Sequence, residues 1–333
     1  MYPCPDLTAA LHLVWRGAAE PMTRVAVATS GGADSAMLAA HTATVAREHG
    51  TEVVLFHVHH GLQSAADGWA DHVQALGRLL DVHVATAHAC VESNTGLGIE
   101  AAARDARYAA LTTLAQQHGV QDILLAHHQN DQAETVLLRL LRGTGPEGMA
   151  AMAPSMRRDG IRYHRPWLNQ SRARILHAAE SFATRYQWHA VQDPTNVDPR
   201  YTRAAVRELL APTLDARWPG WQSRLASHAR HAAETLSILE EVAQGDFAVL
   251  APTPDNNSFS LAQWRALPPA RQSLVLRHWL RLNGARMPTE ARLAELLRQL
   301  RQLHSLGHDR HMTMVHGHHV IRCHRGRVWI APK

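Results

Sequence analysis

Arg24-Val25-Ala26-Val27-Ala28-Thr29-Ser30-Gly31-Gly32-Ala33-Asp34-Ser35-Ala36-Met37-Leu38 is the stretch that most restricts what this chain can fold into. Its apolar opening reads as a buried strand, and the residues from Ser35 onward read as a helix. The two adjacent glycines between them let the backbone pass close to an anion with no Cβ in the way. The N–H groups that open the next helix then point at that anion, with the helix dipole behind them. Ser30 and Ser35 add hydroxyl donors. The segment predicts a phosphate cradle at the end of a strand; the plainer alternative is a strand-to-helix turn with Asp34 as its N-cap. A Walker A loop is excluded, because it needs a lysine after its second glycine and the only lysine in the 333 residues is Lys333.

The same alternation of apolar run and helical segment continues through the first two hundred residues. Strands are expected near Val25 to Ala28, Val53 to Val58, Val82 to Ala87 and Ile123 to Ala126. Helices are expected near Ser35 to Arg47, Ala66 to Leu80, Ile99 to His118, Gln132 to Arg142 and Arg172 to Gln187. This pattern predicts an α/β fold, a mostly parallel, doubly wound sheet with helices on both faces. Ligands of such sheets lie at the carboxyl ends of the strands, where the Ser30 loop, His57 to Gly61, and His127 to Asp131 would emerge together. The chain changes character near Asp215. After a linker-like Arg217-Trp218-Pro219-Gly220 come long helical segments near Trp221 to Leu250, Ala262 to Leu282 and Glu290 to Leu303, then a small hairpin over Met312 to Pro332 turning at Arg325-Gly326. Residues 1–215 and 216–333 are therefore expected to form two domains, the second smaller and mainly helical.

A hydrophobic content of 46% can fill a core in each domain. No apolar run approaches a membrane span, and the N-terminus has neither the basic nor the apolar region of a signal peptide, so a cytoplasmic protein is expected. Cys4, Cys90 and Cys323 are odd in number, far apart and without a C-x-x-C pair, which argues against a disulfide framework or a zinc knuckle. The formal charge of +5 is unevenly spread. Between Arg139 and Arg207 twelve arginines face five acids, which leaves the rest of the chain net negative. Such a segment suits a phosphate backbone, since guanidinium forks onto phosphate oxygens; a solvated helix face is the alternative.

Further blocks carry chemistry. Asp131 and Glu134 are three residues apart, so both carboxylates lie on one helix face and can hold a cation together. Free lysine is such a cation, and a nearby carboxylate can both hold its ε-ammonium and take the proton it must lose, against a usual pKa of about 10.4. An acidic first turn that complements the helix dipole is the alternative. Arg104 and Arg107 can reach phosphates or pair with Glu100 and Asp105. The His59-His60 and His127-His128 pairs lack the companions of a zinc site and fit an adenine pocket or loop packing better. His316, His318 and His319 are expected to be exposed on the hairpin.

Ser-Gly-Gly-Ala-Asp-Ser after a strand resembles the PP-loop of the ATP pyrophosphatases, which cleave ATP between its α and β phosphates to adenylate an oxygen. Four more blocks follow in order: His57-Val58-His59-His60-Gly61-Leu62, Glu100 to Tyr108, Ala126 to Thr135, and Asp193-Pro194-Thr195-Asn196-Val197-Asp198 before Tyr201, Arg203 and Arg207. Together, over residues 24 to 212, they closely resemble the tRNA(Ile)-lysidine synthetase family. That resemblance implies ATP and magnesium as cofactors, free L-lysine and a tRNA(Ile) with a CAU anticodon as substrates, and ligation of lysine to C2 of the wobble cytidine. It implies an ATP site of Ser30, Gly31, Gly32, Ala33, Asp34, Ser35 and His57, with Asp34 facing magnesium and pyrophosphate. Asp34, Asp131 and Glu134 would be catalytic, Arg104, Arg107, Arg203 and Arg207 would contact tRNA or phosphate, and the C-terminal domain would select the tRNA. Two positions depart from the family pattern: Asn130 stands where an aspartate is usual, and Ala204 where an asparagine is. A PP-loop tRNA thiolase, which would usually need cysteine pairs, and a non-catalytic nucleotide-binding module are the competing readings.

Overall fold

The computed structural model describes residues 2–59, 66–89, 99–191, 198–303 and 312–333. The chain divides into two compact units, Met1–Ala233 and Glu234–Lys333. The first opens with helix α1 (Pro5–Gly17), then alternates β1 (Arg24–Ala28), α2 (Ala33–His49), β2 (Glu52–His59), α3 (Ala66–Leu80), β3 (His83–His88), α4 (Ile99–Gln117), β4 (Asp122–Leu124) and α5 (Gln129–Leu141). A short α6 (Pro146–Met149), a hairpin of β5 (Ser155–Arg158) and β6 (Ile161–His164), and α7 (Arg172–Tyr186) follow. Next come α8 (Thr202–Ala205), a π-helical turn over Val206–Leu210, α9 (Ala211–Arg217) and the long α10 (Trp221–Ala248), which runs on into the second unit.

The six strands order as β3-β2-β1-β4-β6-β5, parallel throughout except for β5 against β6. The expected doubly wound sheet is present. Its two faces are distinguished by the period of two along each strand. Val25, Val27, Val53 and Leu55 pack with Leu7, Leu11, Leu38, Leu76 and Phe182 from α1, α2, α3 and α7. Ala26, Val54, Phe56 and Ile123 pack instead with Tyr108, Leu111 and Leu114 of α4. Packing between helix and sheet is close enough at Gly77 that a Cβ there would lie 2.2 Å from Cγ2 of Val84. The order of strands reverses between β1 and β4, so their carboxyl ends splay and leave a crevice.

The hairpin of β5 and β6 is absent from the expected elements. It turns at Asp159-Gly160, both with positive φ (51° and 82°), as a two-residue hairpin turn requires. In the second unit the expected helix over Ala262 to Leu282 is two: α11 (Leu261–Ala266) and α12 (Pro269–Leu282). Leu267 and Pro268 between them are extended, because Pro268 and Pro269 disfavour α geometry in the residues before them. After α13 (Glu290–Gln302), the expected hairpin is part of a four-stranded antiparallel sheet. It combines β7 (Ser258–Ser260), β8 (Met312–His316), β9 (His319–His324) and β10 (Arg327–Pro332) in the order β7-β10-β9-β8. Phe259, Trp264, Trp279, Leu296, Ile321 and Val328 form its core. His318 is exposed, while His316 and His319 are half-buried. Cys4 and Cys323 carry free thiols, and Cys90 lies outside the described residues. No helix among the described residues is long and apolar enough to cross a membrane.

Candidate active site

A cleft of about 680 Å3 opens where β1 and β4 separate, lined by the turn after β1, by Phe56 and Val58 of β2, by His127, His128 and Asp131, and by Arg107, Arg172, Val191 and Arg207. The turn is built as its sequence predicts. Gly31 sits at φ +90°, which L side chains rarely adopt, and its carbonyl accepts the N–H of Val191 at 3.0 Å. Ser35 Oγ donates to the Gly32 carbonyl at 3.1 Å, accepts the Ser30 N–H at 3.1 Å and lies 3.1 Å from Ser30 Oγ. No side chain caps α2, so the first N–H groups of that helix remain open toward the cleft. Asp34 is therefore not the N-cap; Gly32 is.

Asp34 points across the cleft. Its Oδ2 lies 3.8 Å from His128 Nε2 and 3.6 Å from Arg172 Nε, while its buried Oδ1 has no partner. Burial alone would raise its pKa, but the adjacent His128 ring and the charges of Arg172 and Arg207 outweigh burial and hold it below the usual carboxylate value. A buried carboxylate oxygen with a free lone pair, beside open N–H groups, fits magnesium shared with substrate phosphates, since that ion is commonly held by one or two carboxylates plus phosphate. Among the described residues no group of three or more His, Cys, Asp or Glu could hold a metal without such help.

The opposite wall is the start of α5. His128 is its N-cap: His128 Nδ1 accepts the Asp131 N–H at 3.3 Å, and the His128 N–H donates to Asp131 Oδ2 at 3.0 Å. With Nδ1 accepting, the ring proton is on Nε2, facing Asp34. Asp131 and Glu134 are both buried and share the face expected of them. The cation they hold is Arg207: its Nε donates to Glu134 Oε1 at 2.6 Å, and its Nη2 to Glu134 Oε2 at 2.9 Å and Asp131 Oδ1 at 3.1 Å. Burial would lower the Arg207 pKa, but both carboxylates more than offset this and raise it. Arg203 reaches Thr135 Oγ1 at 3.2 Å and lies 3.9 Å from Asp131.

Other expected site residues fall differently. His57 does not line the cleft: the register of β2 turns Phe56 and Val58 toward it and leaves His57 behind the loop, where its Nδ1 bonds the Thr29 carbonyl at 2.9 Å. Arg104 is exposed and sits over the Tyr108 ring, so it braces α4 rather than lining the cleft. Asp105 pairs with Arg158, leaving Arg107 with no carboxylate partner among the described residues. Burial and the like charges of Arg104, Arg203 and Arg165 lower the Arg107 pKa, as expected for a cation awaiting an anion. His127 is held neutral, pushed down to about 3 by burial and by arginines 107, 165 and 104 against the opposing pull of Asp131, and its Nδ1 has no partner. Asn130 accepts the Arg172 N–H at 3.2 Å, so it fixes α7. Ala204 is buried. His60 to Leu62 and Asp193 to Val197 lie outside the described residues, and nothing is described of the Glu100 side chain. Arg172 and the capping role of His128 carry no sequence signal, because each depends on a partner distant in the chain or on helix-end geometry.

A parallel sheet with an uncapped glycine loop at its switch point and an acidic residue opposite defines a PP-loop protein. Residues 9–214 match the PP-loop domain and residues 259–329 match the TilS substrate binding domain. A tRNA(Ile)-lysidine synthase from Bordetella pertussis is 64% identical over 92% of this chain and 95% of its own length. Another from Ralstonia nicotianae is 40% identical over 92% of this chain and 64% of its length. The chain belongs to the tRNA(Ile)-lysidine synthase family. Among solved structures, a U34-tRNA thiolase, NcsA, from Methanococcus maripaludis shares the fold, with a TM-score of 0.57 at 14% identity over 69% of this chain and 79% of its own.

Proposed function

We propose that this protein ligates L-lysine to C2 of the wobble cytidine, position 34, in the CAU anticodon of tRNA(Ile), with ATP as the driving substrate. Its family membership and the PP-loop support ATP use; the facing arrangement of Asp34 and Asp131 across one cleft, with Glu134 joined to Asp131 through Arg207, is the observation that carries the rest. In the first step O2 of the cytidine bonds to the α-phosphorus as the bond to the β-phosphate breaks, and pyrophosphate leaves. The α2 N–H groups, Ser30 and Ser35 would cradle the departing phosphates, with Arg107 and Arg172 neutralising charge that develops on them. Asp34 would hold magnesium, which supplies Lewis-acid polarisation of the phosphate oxygens. In the second step the lysine ε-amine adds to C2 and AMP leaves with the former O2. Asp131 and Glu134 would hold the ε-ammonium and accept the proton that frees the amine's lone pair.

His57 supports the loop from behind, so it would act by positioning Thr29 and not by touching nucleotide. Arg104 and Arg203 would meet tRNA phosphates beyond the cleft mouth. Residues 216–333, which include the segment similar to the TilS substrate binding domain, would form the linker and the part that selects the tRNA, with residues 1–215 carrying the chemistry. A reaction on tRNA would put the enzyme in the cytoplasm. Incubation with total tRNA, ATP, magnesium and labelled lysine, followed by digestion to nucleosides, tests the proposal. A lysine–cytidine adduct together with released pyrophosphate and AMP is expected; pyrophosphate release without an adduct would overturn it.

A further inference from the structure

All four oxygens of the pair assigned to the lysine ammonium are already taken. Arg207 holds Glu134 Oε1, Glu134 Oε2 and Asp131 Oδ1, and the His128 N–H holds Asp131 Oδ2 at 3.0 Å. Only 11% and 6% of the Asp131 and Glu134 side chains are exposed. Each oxygen keeps a further lone pair, but the guanidinium lies across both carboxylates, so a second cation there would meet its like charge at close range. We propose that Arg207 is a resident occupant of the lysine site, and that the triphosphate of bound ATP draws it away, so that nucleotide binding opens the site to lysine. The inference rests on the assignment of Asp131 and Glu134 to lysine made above.

Three features support displacement over a fixed structural pair. Arg207 itself lines the cleft, together with the loop of residues 30–35 and Asp34, so a triphosphate there offers the guanidinium a more highly charged bidentate partner at short range. Its backbone belongs to the π-helical turn Val206–Leu210, where the regular α hydrogen-bond ladder is interrupted; Val206 anchors the turn on its buried side, while Leu209 and Leu210 on the other side are exposed. Asp131, in contrast, is fixed without Arg207, whereas Arg207 is the partner of both Glu134 oxygens. Asp131 is locked by the capping box, Thr135 Oγ1 donates to its carbonyl at 2.7 Å, and Arg203 stays beside it on Thr135. Departure of Arg207 would therefore leave Asp131 in place and free Glu134 to turn onto the incoming ammonium, which replaces the charge that left. Arg207 is a positioning residue in this account: it keeps the pair compensated when no nucleotide is bound and makes lysine follow ATP.

Isothermal titration of the full chain with L-lysine, with and without magnesium and α,β-methylene-ATP, tests this. Lysine is expected to bind at least tenfold tighter when the analogue is present, and by reciprocity lysine should tighten the analogue by the same factor. Arg207→Ala should bind lysine tightly without nucleotide and lose the coupling; Arg207→Lys, which keeps a cation but not the fork, should retain part of it. Circular dichroism checks that each variant is folded, and if Arg207→Ala is not, the wild type and Arg207→Lys carry the test. Equal lysine affinity with and without the analogue, or weaker lysine binding in Arg207→Ala under both conditions, would overturn the proposal. So would undetectable lysine binding in every arm by protein that still forms the adduct. Failure to form the adduct with tRNA, in protein that shows the coupling, would instead count against the reaction and leave the coupling standing.

Discussion

The loop wall and the α5 wall of the cleft differ in how much of their bonding capacity is spent. On the loop wall, the helix N–H groups are uncapped and Asp34 Oδ1 is buried without a protein partner. On the α5 wall every carboxylate oxygen is satisfied by this chain's own groups. The lesson is that a binding site for a polyanion can be left open, because water solvates its backbone donors. A buried pair of like charges cannot, because uncompensated it would repel itself in a low dielectric. The open wall needs only its ligand; the closed wall needs an exchange.

The sharpest way to break this contrast is Asp34→Ala. The loop amides survive, but the carboxylate proposed to hold magnesium at the phosphates is lost, and pyrophosphate release should fall by at least about a hundredfold. Near-normal release would place the metal and leaving-group chemistry elsewhere. Chelation should stop wild-type turnover reversibly, which a pyrophosphate assay with and without restored magnesium reads directly.

Next in size are Asp131→Asn and Glu134→Gln, which keep shape and remove one charge each. Both should raise KM for lysine and lower kcat, together by about ten- to a hundredfold in kcat/KM, with the KM for ATP little changed. Steady-state kinetics with each substrate varied in turn separates the effects. If the KM for ATP moved instead, the two walls would not be functionally distinct.

How much of this was readable in the residues follows from the range of each interaction. The doubly wound sheet and the loop rest on local periodicity and on adjacent glycines, and both are as expected. The hairpin at Asp159-Gly160 carried a turn signal but lies in an arginine-rich segment whose strands are only four residues long. His57 lies behind the loop and not on the cleft wall because strand alternation decides which neighbour faces the cleft, and a motif does not record that register. Arg207 was expected at phosphate. Its hold on Glu134, 73 residues away, depends on how α8 and the π turn return to α5, which no local pattern encodes.

Away from the cleft, Asp122 offers a control on the same principle, a buried carboxylate fully compensated by its own chain. Arg162 forks onto it at 2.7 and 2.6 Å and His164 reaches it at 2.8 Å. Burial would raise its pKa, but these partners overcome burial and pull it down to about 2. A carboxyl with a depressed folded value contributes stability above its unfolded pKa of 3.8, and that contribution is lost as pH falls from there through about 2. Asp122→Asn should therefore cost about 1 to 2 kcal/mol near neutrality, reduced by solvent screening of the part-exposed Arg162, and should cost less below pH 3. Urea denaturation at pH 7 and pH 3 measures it. Lysine and ATP kinetics should not change, in contrast with Asp131→Asn.

The smallest effect belongs to Arg104, on the rim. Its guanidinium is exposed and contacts Tyr108 at 3.4 Å, without the fork of carboxylates that holds Arg207. If it meets a tRNA phosphate, it does so as one of several screened charges, and binding releases roughly one condensed counterion for it. Arg104→Ala should then reduce the slope of log affinity for tRNA against log salt by about 0.7 to 0.9, with at most a few-fold loss of affinity at moderate salt. Fluorescence titration at four or more salt concentrations resolves a change of that size. Arg207→Ala serves as the comparison: a guanidinium committed to carboxylates inside the cleft should leave the tRNA salt slope where it was. An unchanged slope in Arg104→Ala and a reduced one in Arg207→Ala would reverse the assignment, putting the rim arginine on the protein and the inner one on RNA.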